Sequence, residues 1–253
     1  MTRRNSLIAG LLLIGFAATV RAEPRLFLPP QPVRVPSLPQ TTQIPLDSLP
    51  QHLREKVRAV LAQPTLSAKG PAETFNTDLN TYHWLLEHPD HTVKLWRLQG
   101  AKVTDIEQRG ALSRWSDEQG SEVVWQTALG IPGMHVWYAE GKIKASVLPM
   151  TSFRAVAVMH YVEGKDLDGK SAIRHQVHFM VHCDSKAVAL ATRILGASVP
   201  RQTEQYLGQL QMFYGGMAWY LTQDEARAKR MYRQIGLTVS GEAGQAIVPT
   251  RGP

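Results

Sequence analysis

Cysteine is nearly absent from this sequence, since Cys183 is the single one in 253 residues. One thiol excludes an internal disulfide framework and a cysteine-rich zinc site, because each needs at least two. Cys183 ends an apolar, strand-like run, where a free cysteine usually packs as a small buried hydrophobic residue. The alternative is a nucleophile or one half of an intermolecular disulfide, which requires an exposed thiol or one of low pKa.

Several motifs of common enzyme classes are also missing. The sequence has no glycine-rich phosphate loop, no Gly-x-Ser-x-Gly nucleophile elbow and no His-Glu-x-x-His zinc motif. The net charge of +7 falls to +4 without the three arginines of residues 1–22, too little and too dispersed for a nucleic-acid surface. With 43% hydrophobic residues the chain can still bury a globular core. We expect no nucleic-acid partner and no cofactor.

The first 22 residues have the pattern of a cleavable signal peptide. Two arginines precede an apolar run at residues 7–20, and Val20-Arg21-Ala22 supplies the small residues that signal peptidase requires. A membrane-spanning helix needs roughly 20 apolar residues, more than this run contains. We therefore expect cleavage after residue 22, export to the periplasm or the extracellular space, and no stable membrane span. An uncleaved anchor is the alternative.

Proline is concentrated in the segment that follows. Residues 24–50 hold eight of the 16 prolines and no glycine, which favours extended polyproline II geometry. We predict that residues 23–50 are a semi-rigid linker without a core of their own. Binding of a protein partner to this segment is the alternative. The folded domain is predicted at residues 51–234, and residues 235–253 are predicted to be a flexible tail.

Hydrophobic periodicity predicts an α+β domain. Helical spacing after residue 50 indicates an N-terminal helix, followed by a short strand at 73–76 and two short helices separated at Pro89. Strand-like runs joined by short turns then predict an antiparallel meander, because parallel strands need long crossovers. A helix is predicted at 186–195, and a longer one with an apolar stripe starts at Pro200. The predicted meander strands are 102–108, 112–116, 122–129, 134–139, 142–148, 153–162 and 172–183.

Across residues 70–222 this element order resembles the START-like, polyketide-cyclase-like helix-grip superfamily. The resemblance rests on element order and on the helix pair around Tyr82-His83-Trp84-Leu85-Leu86 and Trp96-Arg97-Leu98. It implies a curved antiparallel sheet of six to seven strands that grips a long C-terminal helix, with a cavity between them. Some members bind lipids or other hydrophobic ligands, and a few catalyse cyclisation or hydrolysis. The resemblance therefore implies a cavity and no particular reaction.

The predicted ligand contacts lie between the sheet and the C-terminal helix. Gly215-Gly216 interrupts the helix stripe, so the helix either bends there or approaches the sheet closely. The small residues Ala155 and Ala157 opposite this pair would leave room for a ligand, or would simply admit the helix backbone into a packed core. Adaptable methionine and amphipathic tyrosine suit an apolar pocket with one polar contact. The predicted ligand-binding residues are Met159, Tyr161, His175, Phe179, Phe213, Tyr214 and Met217.

Two groups of histidines have a structural and a functional interpretation. On a strand, His178 and His182 share a face but stand about 13 Å apart, and His175 faces the other way, so we expect no metal site. His175 is then an inward, hydrogen-bonded side chain or the polar contact of the cavity. A second group, Glu87, His88, Asp90 and His91, surrounds Pro89. We interpret it as a helix boundary, with general acid–base chemistry as the alternative.

These observations favour a non-enzymatic function. We expect an exported protein that holds an apolar or amphipathic small molecule, or a lipid, between sheet and C-terminal helix. The first alternative is a cyclase- or hydrolase-like cavity enzyme that uses His175, helped by Tyr161 or Arg154. The second is a protein or glycan interaction module on a proline-rich stalk, which uses the basic helix at 227–233 or exposed tryptophans. The tryptophans concerned, one on each of three strands, are Trp115, Trp125 and Trp137.

Overall fold

The computed structural model describes residues 33–39, 43–144, 150–183, 198–239 and 249–250. The strands are β1 (Val33–Arg34), β2 (Leu66–Lys69), β3 (Glu73–Asn76), β4 (Glu107–Arg109), β5 (Leu112–Ser116), β6 (Glu122–Ile131), β7 (Met134–Ile143), β8 (Thr151–Asp166), β9 (Ser171–Cys183), β10 (Thr238–Val239) and β11 (Pro249–Thr250). The helices are α1 (Gln51–Ala62), α2 (Leu79–Glu87), α3 (Pro89–Leu98), α4 (Ser198–Gln223) and α5 (Glu225–Gln234).

The main sheet is antiparallel and curved around α4, which confirms the predicted fold class. Its strands follow the order β2-β9-β8-β7-β6-β5-β4, and the short strands β3 and β1 pair with β9 and β8. From β4 to β9, each strand pairs with the next along the chain, as short turns require. The helices α2 and α3 follow β3, as the element order predicted.

One predicted turn is wrong. The pair Glu140-Gly141 was expected to end a strand, but β7 continues through it to Ile143. Gly141 pairs with Val123, and a Cβ atom added there would lie 2.2 Å from the carbonyl oxygen of Glu122. The glycine therefore permits a close approach between β6 and β7, which is the other common reason for glycine inside a strand. Residues 145–149 of the predicted strand 142–148 lie outside the described residues.

Helices cover both faces of the sheet, which explains why both faces of β8 are half apolar. On the inner face, Met159 belongs to the core formed with α2 and α4. On the outer face, Val156 and Val158 pack in a second core with the buried side of α1, including Val57. The sequence predicted α1 as an amphipathic helix, and its apolar stripe is buried on this outer face.

The C-terminal helix is continuous through its glycine pair and lies very close to β3. A Cβ atom added at Gly215 would be 2.8 Å from Cδ1 of Phe75, whereas one added at Gly216 would meet nothing within 4 Å. Of the two predicted explanations for the pair, close approach applies at Gly215. The contact is with the ring of Phe75 on β3, which packs against the helix.

A buried amide fastens α4 to the sheet where two short strands meet. Both β2 and β3 pair with β9, and Val177 lies between the residues that they pair. Its N–H donates to Oε1 of Gln211, which is fully buried, at 3.0 Å. Nε2 of Gln211 donates to the carbonyl oxygen of Pro71 at 2.6 Å. One side chain of α4 therefore satisfies two main-chain groups at the break between β2 and β3.

Parts of the predicted linker and tail are ordered against other segments. The short strand β1 pairs with Lys165 and Asp166 of β8, and Leu49 is buried in the outer core. The strands β10 and β11 pair with each other. The predicted boundaries at residues 22, 50 and 234 stay predictions. The predicted signal segment and the predicted helix 186–195 lie outside the described residues, and none of the described helices has the length and apolar character to span a membrane.

Candidate functional site

A cavity of about 450 Å³ lies on the inner face of the sheet, between the α2–α3 corner and strands β4–β7. The helix corner contributes four consecutive residues, 86–89, and the strands contribute the opposite wall. The full lining is Leu86, Glu87, His88, Pro89, Gln108, Gly110, Ala111, Ser113, Trp125, Thr127 and Trp137. This volume falls within the range of about 300–1,000 Å³ that is typical of small-molecule sites.

Local sequence fixes the helix corner above the cavity. The helix α2 begins at the cap residue Asp78, which accepts a hydrogen bond from the Thr81 N–H at 2.8 Å, and it ends just before Pro89. Proline at the first position of α3 restarts the helix in a new direction. The hydroxyl of Thr92 lies 2.9 Å from the carbonyl oxygens of both Leu85 and His88. These bonds hold residues 86–89 in place as one wall of the cavity.

The opposite wall combines two indole rings with a hydrogen-bonded hairpin. Trp125 lies on β6 and Trp137 on the neighbouring β7, and both pack against the core cluster that holds Trp115. Trp115 and Trp125 are buried, so the three tryptophans pack across the sheet and form no exposed ladder. In the β4–β5 hairpin, the Ser113 hydroxyl donates to Oε1 of Gln108 at 2.6 Å.

A buried histidine packs beside Trp137 on the inner face of β7. The ring of His135 lies 4.3 Å from that of Trp137, and its Nε2 is 3.0 Å from the hydroxyl of Thr127. Burial lowers the pKa of His135 to about 4, with a further contribution from nearby His83. The ring is therefore neutral at ordinary pH, and it orients a hydroxyl that lines the cavity.

A second histidine joins α2 to the sheet. The hydroxyl of Tyr161 donates to the carbonyl oxygen of Ile131 at 3.0 Å. Its proton is thereby used, so Nε2 of His83, 2.8 Å away, carries the hydrogen and donates to the Tyr161 oxygen. Burial raises the pKa of Tyr161. The pair links α2 to β8 and to the end of β6, next to the cavity.

His175 is fully buried and does not line this cavity. Its Nδ1 lies 2.9 Å from the hydroxyl of Tyr82, and its Nε2 lies 3.6 Å from Oε2 of Glu73, beyond ordinary hydrogen-bond distance. The ring also makes an edge contact with Phe75 at 4.8 Å. Burial lowers the pKa of His175, although Glu73 opposes the shift. The residue is an inward, hydrogen-bonded side chain, one of its two predicted roles.

The other predicted ligand-binding residues meet in the inner core. Met159, Tyr161, Tyr214 and Met217 are buried there, and Phe179 and Phe213 pack against them half-buried. None of these six side chains lines the 450 Å³ cavity. Their role in ligand binding stays a prediction.

None of the lining residues is among the predicted ligand-binding residues, although Trp125 and Trp137 were candidates for the interaction alternative and Glu87 and His88 for the acid–base alternative. Glu87 and His88 were noticed, but beside Pro89 they were interpreted as a helix boundary, which they also are. The available signal was the alternation on β6 and β7, which places Trp125, Thr127 and Trp137 on the inner face together. The position of the α2–α3 corner relative to those strands could not be predicted from the sequence.

A wider depression of about 590 Å³ lies on the other side of β4. It is polar: α3 contributes Asp90, His91 and Lys94 to its lining, and β4 contributes Glu107 and Arg109. Burial alone would raise the pKa of Asp90, but hydrogen bonds and charge from His91 lower it below its ordinary value. Among the described residues, no group of three or more His, Cys, Asp or Glu side chains is arranged to hold a metal ion.

Cys183 is buried, as its position at the end of an apolar strand predicted. It packs in the same inner cluster as Trp115 and Phe153. Buried structural cysteines are chemically inert, whereas a nucleophile needs an accessible thiol.

No family model and no curated protein matches the chain. Three solved structures are similar in part. A conserved protein from Geobacillus kaustophilus has 11% identity and a TM-score of 0.40 over 62% of this chain and 96% of its own. A hypothetical protein from Helicobacter pylori has 12% identity and a TM-score of 0.41, covering 73% and 98%. Ara h 8.0201 has 16% identity and a TM-score of 0.34, covering 63% and 99%. Membership of the helix-grip superfamily stays a prediction.

Proposed function

We propose that this chain is an exported protein that binds an amphipathic small molecule in the cavity between the sheet and the α2–α3 corner. The observation that carries the proposal is the 450 Å³ cavity itself, whose lining combines two indole rings with polar side chains from both walls. Its volume lies within the range of small-molecule sites, and aromatic rings beside polar side chains suit an amphipathic ligand. Export is proposed from the signal-like pattern of residues 1–22.

The two alternative functions have less support from the geometry. A cavity enzyme that uses His175 would need this side chain in contact with substrate, whereas it is fully buried and lies outside the cavity lining. A glycan-binding ladder would need exposed tryptophans, whereas Trp115 and Trp125 are buried. The proposed binding function needs indole rings in the cavity wall, which is where Trp125 and Trp137 lie.

Filling the cavity tests the proposal. Ala111 is exposed at the hairpin and lines the cavity, and its neighbour Leu112 is exposed but does not line it. Ala111→Trp adds bulk to the cavity, and Leu112→Trp adds the same indole beside it. We expect the purified protein to bind the neutral dye N-phenyl-1-naphthylamine, measured by dye fluorescence. Ala111→Trp should weaken this binding by about tenfold or more, and Leu112→Trp should change it by about twofold at most.

Two outcomes would contradict this function. The first is no increase of dye fluorescence with the wild-type protein. The second is equal dye affinity for wild type and Ala111→Trp, with both proteins folded by circular dichroism, which would place the bound dye elsewhere.

A further inference from the structure

We infer that the cavity takes an organic cation, a small molecule with an amine or quaternary ammonium group on an apolar body. This inference rests on the proposed binding function and adds the charge of the ligand. It is carried by three properties of the lining: the sign of its charge, the direction of its hydrogen bonds, and its indole rings.

The charge of the lining is negative. Glu87 is the one residue with a formal charge at neutral pH among the described lining residues, which include no lysine or arginine. It is exposed at the cavity and makes no ion pair within the described part of the chain. Arg109, between two lining residues in sequence, faces the neighbouring depression and pairs with Glu107 at 2.9 Å. A positively charged ligand therefore meets an available carboxylate, and an anionic ligand meets repulsion.

The hydrogen-bond donors of the lining are largely occupied within the protein. The Ser113 hydroxyl donates to Gln108, and Nε2 of Gln108 donates to the carbonyl oxygen of Gly110 at 2.7 Å. Nδ1 of His88 lies 2.9 Å from the carbonyl oxygen of Trp84, so this nitrogen carries the hydrogen. In the neutral ring, Nε2 of His88 is then an acceptor. At Ser113 and His88 the donor is used within the protein, and the atom left to a ligand is an acceptor, as an ammonium group requires.

The indole rings supply the second component of cation recognition. Tryptophan is the aromatic side chain with the strongest attraction for cations, and quaternary ammonium ligands are commonly bound by such rings. Trp125 and Trp137 lie on adjacent strands of one wall. The histidine beside Trp137 is neutral at ordinary pH, because burial lowers the pKa of His135 to about 4. No positive charge of that ring opposes a cation on the indole.

A matched pair of ligands tests the charge directly. Choline and 3,3-dimethyl-1-butanol have the same shape, and they differ in a charged nitrogen against a neutral carbon. Both are titrated against the purified protein by displacement of N-phenyl-1-naphthylamine, and directly by calorimetry. We expect choline to bind about tenfold more tightly than the alcohol, and we expect its advantage to shrink in high salt.

Glu87→Gln tests the carboxylate without changing the size of the side chain. We expect this variant to lose most of the preference for choline over the neutral alcohol, and circular dichroism checks that it is folded. Glu118→Gln, at an exposed turn outside the lining, is the matched control and should bind as wild type.

The possible results separate the two levels of the proposal. Equal affinity for choline and the alcohol, with dye binding intact, overturns the cation inference and leaves the binding function standing. Retention of the choline preference in Glu87→Gln also overturns the cation inference, because this variant lacks the carboxylate that was inferred to recognise the cation. Binding of none of the three probes contradicts the proposed function itself.

Discussion

At the scale of single residues, two adjacent glycines of α4 have opposite roles. Gly215 faces β3, where an added Cβ would be 2.8 Å from Cδ1 and 3.0 Å from Cε1 of Phe75. Gly216 has open space around its Cβ position. Contacts below about 3 Å force the neighbour to move, and Phe75 is itself held against the rings of His175 and Tyr82.

Alanine at each of these positions should therefore shift stability in opposite directions. We expect Gly215→Ala to lower the free energy of unfolding by about 1–3 kcal/mol through overpacking. Gly216→Ala should raise it by up to about 1 kcal/mol, because alanine is the better helix former. Urea unfolding followed by circular dichroism measures both. Equal shifts of the same sign would show that helix propensity alone decides both positions.

The glycine pair shows how much can be predicted from the sequence for single residues. Helical periodicity identified an interruption and gave two explanations for it. The choice depended on Phe75, which lies about 140 residues earlier in the chain and reaches Gly215 only in the folded protein. The same limit applies to the cavity. Alternation placed Met159 and Tyr161 on the inner face correctly, but whether that space is filled depends on how far α4 approaches.

At the scale of elements, one buried amide joins α4 to the sheet in addition to its apolar packing. Gln211 is the partner of the Val177 N–H and of the Pro71 carbonyl, at the break where β2 gives way to β3. Gly70 is required beside it, because a Cβ there would lie 1.9 Å from the Gln211 Oε1. A helix and three strands are therefore held at one point.

Replacing this amide with an apolar side chain should be costly. We expect Gln211→Leu to lower the free energy of unfolding by about 2–4 kcal/mol, because two buried main-chain groups lose their partners. Gln209→Leu, on the exposed side of the same helix, should change it by about 0.5 kcal/mol at most. Chemical denaturation measures both, and hydrogen exchange should show faster exchange of the Val177 amide in Gln211→Leu alone. Similar stability of the two variants would contradict this role for Gln211.

Element types were predictable from the sequence, but their contacts were not. The helix α1 was expected from the spacing of Leu53, Val57 and Val60, and those residues are its buried side. Its docking on the outer face had a signal in the apolar residues on both faces of β8, which a sheet covered on one side does not need. The turn at Gly141 was wrong because glycine ends strands in some places and permits close strand contact in others.

At the scale of the whole molecule, three buried histidines and the half-buried His178 make stability depend on pH. Burial lowers the pKa values of His135, His160, His175 and His178, in two cases to about 4. The unfolded chain takes up these protons near pH 6.5, and the folded protein takes them up only at lower pH. The contribution of these histidines to the free energy of unfolding is therefore fully present above pH 6.5. It is lost as the pH falls from 6.5 toward their pKa values in the folded protein. The carboxylates with lowered pKa, such as Asp90 and Glu140, act in a separate range below about pH 4.

His135 gives the sharpest test of this acid sensitivity. It is only 5% exposed, and its pKa falls from 6.5 to about 4, so it alone should remove about 3 kcal/mol between pH 6.5 and pH 4. His135→Gln can keep the hydrogen bond to Thr127 but cannot take up a proton, and we expect it to flatten the fall in unfolding free energy over that range. His52→Gln, at an exposed site on α1, should keep the wild-type slope. Urea midpoints measured from pH 7.5 to pH 4 give the slopes, and an NMR titration gives the folded pKa of His135. A folded pKa of His135 near 6.5, with the same pH slope in His135→Gln as in wild type, would contradict this prediction. It would mean that water reaches the His135 ring and that the cavity wall at Trp137 is more open than the packing of His135 indicates.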